Sequence, residues 1–256
     1  MHILNPSFSL QDFFERLERQ ESILLLDYDG TLSPFQVDPQ KAVPYPGVVK
    51  RLEMIRDNPR TRLIIVSGRS IETLLPLLPL HPIPEIWGCH GGERLTMDKR
   101  TVMVLSEKQR KGILKAKELA KGTASENRCE VKPLSIAIHW RGCSSDEIAT
   151  VRKTVQFDVT DYDLECHEFD GGIEFRVQGM NKGGAIETIL EEVGPEPLIA
   201  YAGDDATDEQ AFEALGERGL KILVREELRP THADIQLTPP KELLSFLDRW
   251  AKSTVK

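Results

Sequence analysis

The stretch Ile23-Leu24-Leu25-Leu26-Asp27-Tyr28-Asp29-Gly30-Thr31 decides how this chain is read. Its apolar half describes a buried strand. The strand ends in two carboxylates one residue apart, followed by a glycine that lets the backbone turn sharply. Alternation along an extended segment sends Asp27 and Asp29 to the same side. Two like charges held that close call for a cation, a shared proton or an electrophile between them. An Asp so placed can attack a phosphorus atom while its neighbour handles the proton of the leaving oxygen. In isolation the same residues also describe an Asp-Gly turn, where Asp bonds its local backbone.

Similar apolar runs recur at 63–66, 86–87, 198–202 and 220–224, with helical patterns at 47–58, 70–78 and 183–193. In the last of these, Ala185, Ile186, Ile189, Leu190 and Val193 keep the period of an amphipathic helix. Strands alternating with helices imply parallel β-α-β units, hence an α/β class with a doubly wound, mainly parallel sheet covered on both faces. From about 97 to 172 the pattern changes to a strand, a basic helix (107–121), two strands (128–132 and 135–140), a helix (145–157) and two further strands. The alternation Ser135-Ile136-Ala137-Ile138-His139-Trp140 suggests an antiparallel sheet with one covered face. The expected organisation is therefore a core formed by 1–96 and 173–256, with a small α+β module inserted at 97–172. The lysines of its basic helix read as a solvated face, with a binding role as the alternative. Pro76, Pro79, Pro82 and Pro84 mark a stiff loop.

Three core strands lead into polar clusters: Asp27 to Thr31, Ser67-Gly68-Arg69-Ser70, and Gly203-Asp204-Asp205-Ala206-Thr207-Asp208-Glu209. In open α/β sheets ligands bind at the carboxyl edge where such clusters fall. Ser67 can donate to a phosphate oxygen, and the amides after it open a helix whose N-terminus favours anions. The plainer reading of Ser67 is a helix cap. Arg69 is a second phosphate contact or a surface charge. Asp204, Asp205 and Asp208 suit a hard cation that takes oxygen ligands. Their plainer reading is an acidic cap before a helix starting near Glu209, which two adjacent aspartates oversupply. Ligand spacing for an EF-hand is missing. Lys182, in Asn181-Lys182-Gly183-Gly184, can balance charge on a phosphate and on the attacking carboxylate, or lie at the surface. The loop of a Walker lysine is absent.

Composition narrows the partners. The 256 residues carry a formal charge of -8, with 40% hydrophobic and 29% charged residues. That balance argues against nucleic acid, whose phosphates need a basic face. No apolar stretch approaches the roughly 20 residues of a membrane helix. The first 21 residues are not expected to be a secretory signal; Ser9 and Asp12 ahead of Phe13, Phe14 and Leu17 describe a capped amphipathic helix. Cys89, Cys129, Cys143 and Cys166 have no metal-ligand spacing, so reduced thiols in a cytoplasmic protein are expected. Cys89, beside His90 on what reads as a strand, is expected to point into the core.

In order along the chain, Asp27-Tyr28-Asp29-Gly30-Thr31, Ser67, Lys182 and Gly203-Asp204-Asp205 resemble the four motifs of the haloacid dehalogenase-like superfamily. The resemblance implies that superfamily's Rossmann-like core, with the 97–172 insertion as its α/β cap. Within the superfamily, Ser67-Gly68-Arg69, Gly88-Cys89-His90-Gly91-Gly92-Glu93 and Gly203 to Glu209 look like the trehalose-6-phosphate phosphatase family. The pairs Glu130-x-Lys132 and His139-x-Arg141, and Glu174-Phe175-Arg176, are similar to that family's sugar-reading stretches, and their plainer reading is cross-strand pairing.

The resemblance implies a magnesium-dependent hydrolysis of trehalose 6-phosphate, a free small molecule, by a monomer. Asp27 is then the nucleophile that forms an aspartyl-phosphate, and Asp29 the acid and base. Ser67, Gly68, Arg69 and Lys182 bind phosphate; His90, Glu130, Lys132, Arg141 and Glu174 bind the sugar. Mg2+ is held by Asp27, the carbonyl of Asp29 and Asp204, with Asp205 or Asp208 direct or through water. The chain departs from the family pattern at Val177, where Pro is frequent, and at Asp170, where Lys is frequent. Those departures bear on the sugar: glucosylglycerol phosphate and sucrose phosphate are alternatives within the same chemistry. A sugar phosphomutase and a non-catalytic sugar-phosphate sensor are more distant ones.

Overall fold

The computed structural model describes residues 1–36, 38–169 and 171–254. In chain order the elements begin β1 (His2–Ile3), α1 (Leu10–Leu17), β2 (Ser22–Leu26), α2 (Val48–Arg56), β3 (Thr61–Val66) and α3 (Ile71–Leu74). They continue with β4 (Glu85–Gly88), β5 (Glu93–Leu95), β6 (Arg100–Val102), α4 (Glu107–Leu119), β7 (Cys129–Val131), β8 (Ser135–His139) and α5 (Ser145–Thr154). The last are β9 (Leu164–Phe169), β10 (Gly172–Val177), α6 (Lys182–Val193), β11 (Leu198–Gly203), α7 (Ala206–Leu215), β12 (Gly219–Val224), β13 (Ile235–Leu237) and α8 (Lys241–Thr254). Two compact units result, one of Met1–Thr101 with Asn181–Lys256 and the other of Val102–Met180.

The first unit is built on a nine-stranded sheet in the order β1-β13-β12-β11-β2-β3-β4-β5-β6. The pairs from β13 through β4 are parallel, and β1 and β5 join antiparallel to their neighbours. Strand alternation divides the apolar side chains between two cores. Leu24 and Leu26 of β2 face a cluster with Phe13, Leu52, Leu247 and Trp250, while Ile23 and Leu25 face Ile186, Ile189 and Phe212. Helices α1, α2 and α8 thus cover one face, and α6 and α7 the other. Phe13 and Phe14 meet Trp250 and Phe246 at ring-centroid distances of 5.9 and 5.7 Å, which ties α1 to α8. Burying each such side chain contributes about 1.5–3 kcal/mol.

Strand order places the chemistry. After β2 the chain builds outward through β3 and β4, then returns to lay β11 on the other side of β2. Residue 27 therefore sits at the point where the winding reverses, the crevice where open α/β sheets bind ligands. The helix expected over 70–78 is shorter in the structure. Regular α-helix ends at Leu74 and a single tighter turn, Leu75–Leu77, follows. Pro76 causes this, since its ring clashes with the carbonyl four residues back and it has no N–H to donate.

The second unit contains a four-stranded antiparallel sheet, β7-β8-β10-β9. Register puts Glu130 and Glu174 on either side of Ala137, with His167 next in the same row. That face is polar. The opposite face carries Ile136, Ile138, Phe175 and Leu164, all buried, with Phe157 against Phe175 at 5.2 Å. Helices α4 and α5 each open on a serine capping box, Ser106 with Gln109 and Ser144 with Glu147. Glu174, expected with the core at 173–256, lies on a strand of this second unit. Asp170 lies outside the described residues.

Candidate active site

Asp27 follows β2 directly and is buried, its backbone N–H donating to the carbonyl of Ala202 on β11 at 2.9 Å. The chain then folds into a tight turn in which Leu32 and Ser33 both donate to the carbonyl of Tyr28 and Gly30 donates to Ser33. Gly30 has φ +82°, and a Cβ there would lie 2.2 Å from a carboxylate oxygen of Asp204. Only glycine lets the two acidic loops approach each other. The hydroxyl of Tyr28 donates to the carbonyl of Ala42 at 2.7 Å and lies 3.1 Å from that of Leu77, pinning the surrounding loops.

Lys182, the first residue of α6, is buried and its Nζ donates to Asp27 Oδ1 and to Asp208 Oδ1, both at 2.7 Å. Helix α6 starts on Asn181, whose side chain accepts from the Gly184 N–H. Burial alone would lower the ammonium's pKa; the fields of Asp208 and Asp27 outweigh it and hold the pKa well above the usual lysine value. The lysine is not at the surface.

Asp27, Asp204 and Asp208 each place one carboxylate oxygen within 4.8 Å of the others, and all three are buried. Burial pushes Asp27 up to about 8 despite Lys182, with Asp208 adding to the rise. Asp204 is raised well above the carboxylate range by burial and then by Asp27, Asp208 and Asp205. Asp27 Oδ2 is buried and has no hydrogen-bond donor among the described residues. An acceptor left bare among unneutralised carboxylates costs free energy, and a hard divalent cation with oxygen ligands relieves both problems. The donor set fits such an ion through Asp27 and Asp204.

The other two aspartates of the acidic loop have different tasks. Asp208 Oδ1 accepts from Lys182 and from the Tyr201 hydroxyl at 2.5 Å, and Oδ2 accepts from the backbone N–H groups of Asp204 and Asp205. Four donors occupy it, so it binds Lys182 and shapes the loop. Asp205 caps α7, accepting from the N–H and hydroxyl of Thr207, and Asp208 closes the capping box. Burial would raise Asp205; Lys182 and the Thr207 donors bring it to about 2 instead. Helix α7 begins at Ala206, three residues before the expected start, and two aspartates are fully employed as caps. These are not the adjacent pair: Asp205 holds the first turn, Asp208 returns to the cap's own amide, and Asp204 stands outside the cap, the surplus carboxylate expected of two adjacent aspartates.

Arg69 grips Asp29 with a two-pronged pair, Nε to Oδ2 at 2.6 Å and Nη2 to Oδ1 at 2.7 Å. Such paired N–H···O bonds fix both position and plane. Ser67, fully buried, accepts from the Arg69 N–H, while Ser70 caps α3 and Glu93 accepts from the Ile71 N–H. Cys89 and His90 do not lie on a strand. Both adopt left-handed φ (48° and 54°) in a turn after β4, donating their N–H groups to the carbonyls of Arg69 and Ser67. Consecutive non-glycine residues held this way cost about 1–3 kcal/mol each, and strain of this kind collects at functional sites. The turn lays the His90 imidazole on Gly68, where a Cβ would lie 2.6 Å from His90 Cε1. Cys89 is buried, as expected for different reasons.

In the second unit, Glu174 accepts from Lys132 at 2.9 Å and Ser135 at 2.7 Å, and His139 pairs with Glu130 at 3.2 Å. Burial would raise Glu130, but the His139 hydrogen bond and Lys132 lower it. Arg141 is exposed beyond the end of β8, its stem against Gly171. Sequence reasoning missed Tyr201, an oxygen-bearing side chain inside an apolar run whose only outward sign is its hydroxyl.

The family model for trehalose-phosphatase matches residues 25–241. The chain belongs to the trehalose-phosphatase family. Trehalose-phosphate phosphatase of Mycobacterium tuberculosis (strain ATCC 25618 / H37Rv) is 28% identical over 256 residues, covering 92% of this chain and 63% of that protein. The chain thus spans less than two thirds of that relative's length. A solved trehalose-6-phosphate phosphatase related protein superposes with a TM-score of 0.74 at 27% identity, covering 90% of this chain and 97% of its own. A phosphatase of the haloalkanoate (HAD) enzyme superfamily from Bacteroides thetaiotaomicron, 14% identical, shares the fold at a TM-score of 0.61 over 98% of this chain and all of its own. The family member's fold is the HAD-like α/β fold expected from the sequence. Among the described residues no helix is long and apolar enough to cross a membrane.

Proposed function

We propose that this family member hydrolyses trehalose 6-phosphate to trehalose and phosphate through an aspartyl-phosphate on Asp27. The observation that carries this reading is Asp27 itself: one oxygen held by Lys182, the other bare, at the winding reversal of the sheet. Lys182 orients Oδ1 and its field opposes the rise that burial causes, leaving Oδ2 to attack phosphorus in line as the sugar oxygen leaves. Asp29 protonates that oxygen and afterwards takes a proton from the water that attacks the acyl phosphate. To act as acid it must first let go of Arg69, whose guanidinium is then available to a phosphoryl oxygen. Ser67, the Gly68 amide and Lys182 hold the remaining oxygens as charge shifts.

Mg2+ is the cation we assign, held by Asp27, Asp204 and the carbonyl of Asp29; when bound it supplies positive charge that offsets the phosphoryl oxygens and the carboxylates around them. Glu130, Lys132 and Glu174 supply hydrogen bonds to sugar hydroxyls, with His90 and Arg141. The substrate is a free sugar phosphate in the cytoplasm and the enzyme a monomer. Phosphate release tests the reading, with trehalose 6-phosphate, sucrose 6-phosphate, glucosylglycerol phosphate, glucose 6-phosphate and p-nitrophenyl phosphate, each with Mg2+ and with EDTA. Fast release from trehalose 6-phosphate alone, abolished by EDTA, is expected. Preference for another member of the panel would keep the Asp27 chemistry and reject the sugar assignment.

A further inference from the structure

The loop carrying Asp204 has an electrostatic difficulty. The Asp204 carboxylate has an oxygen within 4.8 Å of oxygens of the buried Asp27 and Asp208. Asp208 holds the amide side of this loop, accepting from the Asp204 and Asp205 N–H groups, and the carbonyl side is held from outside the cluster. Arg229, between β12 and β13, is so positioned. Its Nη2 donates to the carbonyl of Asp205 at 2.6 Å and its Nε to the carbonyl of Asp204 at 3.4 Å. Nη1 donates to Glu209 Oε1 of α7 at 2.5 Å and to the carbonyl of Pro230 at 2.8 Å. The other oxygen of Glu209 accepts from the His232 N–H at 2.8 Å and lies 3.0 Å from its Nδ1. Both side chains are largely enclosed, Arg229 at 19% and Glu209 at 17% exposure.

One planar guanidinium therefore spans two consecutive carbonyls of the acidic loop and a carboxylate on the helix that follows. An ammonium offers no such fixed fork. Among the described residues, these hydrogen bonds of the Arg229 and Glu209 side chains reach the acidic-loop carbonyls, each other, Pro230 and His232, and not the carboxylates of Asp27 or Asp29. We propose that Arg229 is a positioning residue that sets divalent-cation affinity by clamping the Asp204–Asp205 backbone to α7 through Glu209. The inference rests on the cation reading above. It accounts for an arginine where neither a bound phosphate nor a surface charge is needed, and for a helix whose fourth residue is a largely enclosed glutamate.

Residues that orient a metal ligand typically change metal affinity by about 10–100-fold when altered. The test is Mn2+ binding without substrate, followed by electron paramagnetic resonance of the free ion, for the wild type, Arg229→Lys and Glu209→Gln. Arg229→Lys keeps charge and stem but loses the fork, and a dissociation constant raised about 10-fold is expected. Glu209→Gln, expected to fold even if the first variant does not, should shift it in the same direction by less. In phosphate release, the Mn2+ half-saturation should rise by the same factor, with kcat and KM recovered at saturating Mn2+. Dissociation constants within about twofold of the wild type in the variants that fold would overturn the clamp while leaving the cation site standing. A wild type that binds no Mn2+ would overturn both.

Discussion

Replacing Lys182 by methionine removes the cation between two buried carboxylates and keeps most of the side-chain volume. The ammonium lies 2.7 Å from each acceptor, and the side chains of Lys182, Asp27 and Asp208 are 4%, 4% and 0% exposed. At an effective dielectric of about 20, each contact is worth about 6 kcal/mol of attraction before desolvation is charged against it. Desolvation costs several kcal/mol per ion, and the measured cost of deleting one partner of a buried pair is about 3–5 kcal/mol. A loss in that range is expected at about pH 8 in EDTA, read by urea unfolding and linear extrapolation. The sign with pH follows from linkage. Without the lysine, Asp27 and Asp208 are raised further, so the native state holds more protons than the unfolded chain above about pH 4. Stability then falls as pH rises, and the deficit at about pH 5 should be clearly smaller than at pH 8. Adding Asp208→Asn to Lys182→Met should recover part of it. A deficit below about 1 kcal/mol at pH 8, or one equal at both pH values, would refute the reasoning, since that is how a solvent-exposed ion pair behaves. Turnover should fall by about 10²–10³, the usual effect of losing one group that stabilises developing charge.

Asp29→Asn should slow release from trehalose 6-phosphate by about 10²–10⁴ while leaving the unfolding midpoint within a few degrees; an unchanged rate would reject Asp29 as acid and base. Glu130→Ala should raise KM for the sugar phosphate much more than for p-nitrophenyl phosphate, and equal effects on both would remove Glu130 from sugar recognition. In the metal-free protein the raised Asp27 makes stability fall as pH climbs from the unfolded carboxylate range toward about 8, and Asp204, also raised, acts in the same direction. Asp205, lowered, works oppositely, its stabilisation disappearing as pH drops toward about 2. Mg2+ should therefore raise the melting temperature more at pH 8 than at pH 5, and a larger rise at pH 5 would contradict the assignment.

How much of this is legible in the sequence depends on whether a residue's role is local. Asp27, Ser67 and Asp204 each end an apolar run, so their shared edge follows from strand periodicity and β-α-β winding alone. Lys182 is visible as a candidate, but its inward course depends on how α6 docks, which no nearby residue encodes. Asp208 escapes sequence reasoning because metal ligands and capping boxes use the same residue at the same spacing. The four donors around it show a structural task that this spacing alone does not. The Arg69–Asp29 pair joins residues 40 positions apart, and two consecutive left-handed residues at Cys89-His90 are not signalled by a cysteine, which seldom adopts that conformation. Arg229 lies 24 positions from the carbonyl of Asp205 that it holds, in a loop without periodicity. Tyr201 is hidden by its apolar neighbours.

The central claim is that Asp27 carries the phosphoryl group. The most direct measurement is acid quenching of the enzyme during turnover of trehalose 6-phosphate with Mg2+, then peptide mass spectrometry. The account predicts one added phosphoryl mass on the peptide that contains Asp27, lost on mild base treatment and absent from Asp27→Asn, which is also inactive. A phosphorylated residue elsewhere, or an Asp27→Asn variant that turns over at a rate near the wild type, would contradict it.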